Sequence, residues 1–180
     1  MSDNVKLIKG VYDAFGRGDI DSVVDAWHPD IVWNEAEHSL YHKPGGYHGP
    51  GDVLTNVFGR IPEGFDDFHV IAQAFHDAGD AVVVEGRYRA TARGSGDPLD
   101  AEVCHVWTVR DGKAIGFQQY TDTWQFAQVT GHRPESCPSS PSEGHGLRRR
   151  DQRRRAKRET AIVPNTSVIP AHHTKLSATQ

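Results

Sequence analysis

Little in this chain supports a disulfide framework, a zinc knuckle or a membrane span. Only 2 cysteines occur among 180 residues, Cys104 and Cys137. One such pair makes neither a disulfide scaffold nor a thiolate metal site. No run of about 18 apolar residues is present, so no helix is expected to cross a bilayer. The opening MSDNVKLIKG lacks the apolar stretch of a secretory signal. The expectation is a reduced, cytoplasmic protein. Basic charge is scarce over residues 1–131, where 10 Lys+Arg stand against 20 Asp+Glu. Such a body repels phosphates, which makes nucleic acid a poor partner for it. Phosphate-loop chemistry is missing too. The glycines of GRGD (16–19) and GSGDP (94–98) do not sit between a strand and a helix. No nucleophile elbow for serine hydrolysis occurs.

What is present falls into two parts. Residues 132–180 reverse the charge, with 10 Lys+Arg against 4 Asp+Glu. This segment opens on the Pro/Ser/Gly-rich HRPESCPSSPSEGHG and continues as LRRRDQRRRAKRE. Its sparse apolar residues follow no period, so burial cannot offset the entropy of ordering it. It reads as a disordered basic tail, able at most to touch nucleic acid weakly through Arg148–Arg158. The domain boundary is therefore set at 131/132.

Residues 1–131 show clear periodicities. Val5, Ile8, Val11, Tyr12 and Phe15 recur at helical spacing behind a Ser2 or Asp3 cap. Asp19 caps a second helix with Ile20, Val23, Val24 and Trp27 on one face, which Pro29 stops. Ile31–Ala36 reads as a short strand, followed by the loop HSLYHKPGGYHG. A third helix opens near Pro50, with Leu54, Val57, Phe58 and Ile61 as its stripe. Then the period changes to two. Phe68–His76, Ala81–Arg93, Leu99–Arg110 and Lys113–Thr123 are strand candidates, with a closing helical turn at Trp124–Val129. Asp111-Gly112 between apolar flanks marks a hairpin. Helices come early and strands late, which is an α+β order.

Several strings carry a resemblance: YDAFGRGD (12–19), HPDIVWNE (28–35), GGYHGP (45–50), NVF (56–58), DAVVVEGRY (80–88), HVWTVRDGKAI (105–115) and QYTDT (119–123). In this order and spacing the chain resembles the NTF2-like superfamily, in its SnoaL-like, ketosteroid-isomerase-related branch. The resemblance implies a cone. Three N-terminal helices pack on a curved, mostly antiparallel sheet, with a pocket at the open end. It also implies a homodimer through the outer sheet face, here carrying Glu85, Arg87, Arg89, Glu102 and Arg110. Isomerases, polyketide cyclases, dehydratases and non-catalytic binders share that fold, so function rests on the site residues.

Two polar residues stand on apolar strand faces. Glu35 shares its face with Ile31 and Trp33, and burial there would raise its pKa and suit it to proton transfer. The bland alternative is a carboxylate already in solvent at the strand end. His105 shares its face with Val103, Trp107 and Val109. It is either an oxyanion donor or base, or a core histidine satisfied by a neighbour. By resemblance, Glu35 falls at the proton-shuttling acid of the steroid isomerases and His105 at their oxyanion-binding acid. The isomerases' helix tyrosine aligns with Val11, and Tyr12 lies about 100° further round. The phenol is therefore expected from elsewhere: Tyr47, Tyr88 or Tyr120. Asp122 is a candidate to orient His105, or else a helix cap. Trp33, Phe58, Trp107 and Trp124 are candidates to wall the pocket, the alternative for most of them being a plain core role. Arg87 and Arg89 have outward parity, which argues against the Asp-Arg-Asp set of the superfamily's epoxide hydrolases. His38, His42 and His48 match no zinc spacing, so neither metal nor cofactor is expected, and their loop is expected to cover the pocket. The expected function is proton transfer on a hydrophobic carbonyl-containing small molecule, as in isomerisation, cyclisation or dehydration. The alternative is a non-catalytic binding or dimerising module.

Overall fold

A computed structural model describes residues 1–132. Beyond its first residue, the basic tail lies outside the described residues. Helix α1 (Asp3–Gly16) starts where Ser2 Oγ accepts the Val5 N–H, as capping demands. It buries Val5, Ile8, Val11 and Ala14. Gly18, at φ +72°, turns the chain into α2 (Ile20–Asp25), which Asp19 caps through the Ser22 N–H.

Helix α2 is shorter than its apolar period suggests. Trp27 leaves it and opens β1 (Trp27–Asn34), pairing with Ala114. The expected helix stop, Pro29, thus lies inside a strand. It is tolerated because the register shifts between Trp27 and Val32, where Pro29 and Asp30 face solvent and no ladder donor is required.

The loop after β1 contains an edge strand that periodicity does not show. This is β2 (Tyr47–His48), antiparallel to β1 with Trp33 opposite Tyr47. Helix α3 (Gly49–Asn56) follows with Pro50 in its first turn. The expected stripe to Ile61 is broken. Val57 caps α3, Phe58–Arg60 forms a 3-10 turn, and α4 (Ile61–Gly64) takes Pro62 in its first turn.

Four long strands complete the domain: β3 (Phe65–Ala78), β4 (Ala81–Ala92), β5 (Pro98–Arg110) and β6 (Lys113–Thr121). Helix α5 (Thr123–Thr130) closes it. The sheet order is β2-β1-β6-β5-β4-β3, antiparallel except where β1 runs parallel to β6. The Asp111-Gly112 hairpin takes positive φ at both residues, as the tight turn between right-twisted strands requires.

One core packs α1, α2 and α3 against β1 and the β4–β6 inner face, with Ile8, Ile31, Val53, Val82 and Ala114 fully enclosed. A second, under α5, joins Phe65, Tyr88, Leu99, Ala101, Phe126 and Val129. The fold is therefore α+β with helices on the concave side of a curved, unclosed sheet. Among the described residues no helix is long and apolar enough to cross a membrane.

Curvature has a local cause. The β3–β4 register slips between Ala72 and Ala74, opposite Gly86. Such a bulge bends and twists the strand. A Cβ on Gly86 would collide with the Ile71 carbonyl oxygen. Gly86→Ala is thus expected to cost roughly 1–3 kcal/mol, as overpacking at a rigid contact does. Denaturant unfolding of the variant measures this, and an unchanged midpoint would contradict the account.

Candidate functional site

The two cores leave a cavity between α1, the loop after β1, and the inner face of β4, β5 and β6. It offers about 70 Å³ to the centre of a water molecule. One water needs only about 10–15 Å³ in that measure, so a small organic molecule is the proper scale. The walls are chiefly aromatic and aliphatic, with Phe15, Trp27, Trp33, Phe58, Trp107 and Phe117 among them. Trp33 stacks on Phe117 with centroids 3.6 Å apart and meets Trp107 edge-on at 5.6 Å.

Glu35 lies one residue past β1, on the inward face set by Ile31 and Trp33, and is 6% exposed. The Trp33 indole N–H donates to its Oε1 at 2.6 Å. Burial pushes its pKa from 4.5 up to about 7, while the Trp33 and Gln119 side chains pull it partway back. Both charge forms are thus accessible near neutrality.

His105, from β5, is 4% exposed and bonded at both ring nitrogens. Tyr12 Oη lies 2.6 Å from Nδ1 and Tyr88 Oη lies 2.6 Å from Nε2. Burial lowers its pKa to about 3, so the ring is neutral at ordinary pH. The Trp107 indole N–H donates to Tyr12 Oη at 3.0 Å. The Gln119 amide donates to Tyr88 Oη at 2.8 Å and accepts the Ala36 N–H at 3.2 Å. Burial also raises the pKa of both phenols, strongly for Tyr88. A continuous polar chain therefore runs Trp107–Tyr12–His105–Tyr88–Gln119 through an apolar cavity. Glu35 and His105 do not pair directly, but they line the same space.

The sequence expectations divide accordingly. Glu35, His105, Trp33, Phe58, Tyr88 and Trp107 all line the cavity. Asp122 does not reach His105. It caps α5 through the Gln125 N–H at 3.1 Å and is exposed. Tyr120 and Trp124 are 58% and 70% exposed and stand outside the cavity. Tyr47 is buried, but its hydroxyl donates to the Tyr41 carbonyl at 2.7 Å and supports the loop from behind. The phenol from the first helix, expected to be missing, is supplied by Tyr12. Its side chain is long enough to reach across from α1. Gln119, Tyr41, Ser39 and Trp27 also line the cavity, and residue patterning did not single them out for it. Gln119 was detectable as a polar residue two places from inward Phe117.

The loop after β1 supplies Ser39, Leu40 and Tyr41 as cavity wall. Burial raises the Tyr41 pKa to about 12. His42 and His48 lie against the carbonyls of Glu35 and Gly45. Among the described residues no group of three or more metal-ligating side chains assembles. Arg87 leaves the outer sheet face and meets Asp100 at 2.6 Å and Glu102 at 3.4 Å, away from the cavity.

Residues 8–117 match the SnoaL-like domain family. Solved structures agree. An NTF2-like protein from Burkholderia thailandensis E264 shares 34% identity over 72% of this chain and 98% of its own, with a TM-score of 0.68. TerC, crystallised with polyporic acid, shares 25% identity over 73% of this chain and 100% of its own, at 0.65. A protein with a ketosteroid isomerase-like fold from Catenulispora acidiphila DSM 44928, in complex with trimethylamine, shares 15% identity over 73% and 97%, at 0.60. No curated protein sequence matches.

The raised pKa of Glu35 makes a stability prediction. The folded state holds this proton more tightly than the unfolded chain. Its contribution is full below about pH 4.5 and is lost as pH rises through about 7. His105 acts oppositely, its contribution being full above 6.5 and lost as pH falls toward about 3. Glu35→Gln removes only the first effect. Relative to wild type it should gain up to about 3 kcal/mol between pH 4.5 and pH 8, at about 1.4 kcal/mol per pKa unit. Chemical denaturation of both proteins across that range measures the gain, and a pH-independent difference would refute the raised pKa.

Proposed function

The chain belongs to the SnoaL-like domain family, and from that premise we propose that it binds a hydrophobic, carbonyl-containing small molecule in this cavity and moves a proton on it without a cofactor. One observation carries the reading: a buried carboxyl, poised near pH 7, faces an apolar cavity that also holds phenol hydroxyls. The similarity to TerC, crystallised with polyporic acid, supports a cavity that accepts a small organic molecule.

The step follows from the groups present. Glu35 as carboxylate takes a proton from the carbon beside the carbonyl. The C–H electron pair becomes a carbon–carbon double bond, and the carbonyl π pair moves onto oxygen. A tyrosine hydroxyl of the Tyr12–His105–Tyr88 chain donates to that enolate oxygen. Glu35, now the acid, returns its proton to the same or another carbon. Isomerisation, aldol-type cyclisation and dehydration all begin this way. Low polarity around Glu35 strengthens the base, and preformed donors need no reorganisation as charge develops. His105 is a positioning residue here, since its nitrogens are taken by the two phenols.

Hydrogen–deuterium exchange at C2 of 1-tetralone, followed by NMR, tests the step. Wild type is expected to exceed buffer, along a pH profile set by a group near 7, and Glu35→Gln to lose about 10²–10⁴-fold. Bound 1-tetralone that exchanges no faster than in buffer would instead favour a binding module.

The reading extends to a homodimer through the outer sheet face. There Tyr120 and Ile71 are exposed beside the Arg87–Asp100–Glu102 ion pairs. Sedimentation at micromolar concentration is expected to give twice the chain mass, and a monomer would count against it.

A further inference from the structure

The cavity is one-sided in charge. None of its lining residues is Lys or Arg, and Glu35 is its one carboxyl. Its other titratable side chains are neutral. Burial keeps the proton off His105 and on the phenols of Tyr12, Tyr41 and Tyr88. Glu35 belongs to none of the ion pairs formed among the described residues. The groups packed behind it do not compensate. Arg60 stands over the Tyr41 ring at 5.5 Å, meets Glu63 at 3.8 Å and is not part of the wall. His42 is exposed and lies against the Glu35 backbone carbonyl, not its carboxyl. The Tyr47 hydroxyl is given to the Tyr41 carbonyl. A carboxylate in such a place is costly until a cation joins it.

The carboxyl also has an unused oxygen. The Trp33 indole N–H takes Oε1 at 2.6 Å. No hydrogen bond reaches Oε2 among the described residues, and the Gln119 amide donates to Tyr88 instead. Trp27 Nε1 and Ser39 Oγ are unpartnered too, but both are sealed by their neighbours. Glu35 Oε2 is unpartnered without being sealed, so it keeps surface toward the cavity that Glu35 lines. The residue as a whole is 6% exposed. The cavity therefore presents one free acceptor oxygen, negative when Glu35 ionises. Much of the remaining wall is aromatic, including Trp27, Trp107, Phe58 and Phe117. Ring faces attract a desolvated cation through their quadrupoles. An anion in the same space meets Glu35 as like charge, with no cation in the wall to offset it.

We infer that the cavity binds a compact hydrophobic amine as its ammonium ion, with an N–H directed at Glu35 Oε2 and the carbon frame against the aromatic rings. A neutral molecule of the same shape makes only the apolar contacts, and a carboxylate of that shape is refused. The amine uses the same carboxylate that the proposed proton transfer needs, so it competes with the carbonyl compound. This inference rests on that reading only in placing a small molecule in the cavity. It does not require that any molecule react. Binding needs Glu35 ionised. Burial places that ionisation near pH 7, so affinity rises about tenfold per pH unit up to there and levels off above it.

Calorimetric titration of the full chain with three probes of one shape tests it: benzylamine, benzyl alcohol and benzoate. At pH 8, where benzylamine is protonated, it is expected to bind about tenfold tighter than the alcohol, or more, with benzoate the weakest. From pH 8 to pH 5 the amine should lose about 100-fold while the alcohol changes little. At pH 6, titrations in buffers of different ionisation enthalpy should show about one proton released per amine bound, and almost none at pH 8. Glu35→Gln should bring benzylamine down to the affinity of the alcohol and abolish the proton release. Alcohol binding retained by the variant shows that it is folded, and the wild-type proton count needs no variant. Equal affinity for amine and alcohol, benzoate bound as well as benzylamine, or amine bound at pH 6 without proton release would overturn the amine site while leaving the exchange of 1-tetralone standing. Amine binding as stated, with no catalysed exchange of 1-tetralone, would overturn the proton transfer alone. Failure of all three probes to bind would overturn the amine site and the small-molecule cavity together.

Discussion

The imidazole of His105, held at each nitrogen by a phenol hydroxyl, sets the conditions for everything around it. Tyr12 comes from α1, Tyr88 from β4 and His105 from β5, so the three rings tie the helical layer to the sheet at the wall of the cavity. A charged imidazole in this position would face two phenols and aromatic walls with no counter-ion. Burial therefore keeps it neutral, and neutrality lets it act as donor to one phenol and acceptor from the other. The chain of hydrogen bonds continues to Trp107 and Gln119, which fixes the tilt of each ring. The network ends on two donors, the Trp107 indole and the Gln119 amide, so both phenol oxygens already accept from outside the His105 pair.

Glu35 shows the opposite use of burial. No cationic group offsets the burial of its carboxyl, and the indole N–H of Trp33 together with Gln119 only partly compensates the cost of charge there. The result is an acid balanced near neutrality beside a hydrogen-bond donor system. Gln119 links the two, since it influences the Glu35 carboxyl and donates to Tyr88. Substitution at Gln119 would therefore disturb both the Glu35 carboxyl and the phenol–imidazole chain, although neither Glu35 nor His105 itself changes.

The outer face obeys different rules. Arg87 and Arg89 project from the same β4 whose alternate residues Val84, Gly86 and Tyr88 face the core or cavity. Their partners Asp100 and Glu102 lie across on β5 and are largely exposed. Ion pairs of this exposure contribute little to stability. They give the convex side a mixed charge, while the buried polar groups gather at the cavity on the concave side.

Much of this was written in the sequence, because one-dimensional periodicity survives folding. The helical recurrence of Val5, Ile8 and Val11, the alternation along β4 and β5, and the Asp111-Gly112 turn each depend on near neighbours. The inward placement of Glu35 and His105 follows from the same alternation. What sequence alone could not determine depends on breaks in those periods and on reach between distant elements. Thr108 and Val109 of β5 pair with Gly116 and Ala114 of β6, so the ladder slips by one residue at Ile115, Ala114 and Phe117 both face inward, and the parity resets. Counting by twos from Ala114 points Tyr120 at the cavity. The bulge turns it out and brings Gln119 in. Trp27 fits the α2 period but pairs with Ala114 on β6, a partner 87 residues away that only the closed sheet supplies. Tyr12 sits one position round from the expected site on α1, and only the packing of that helix in the curve of the sheet brings its hydroxyl to His105. Local pattern determined which faces are apolar and the kind and order of the main elements. The tertiary structure decided which polar groups meet, because that depends on bulges, helix placement and side-chain length, none of which has a period to read.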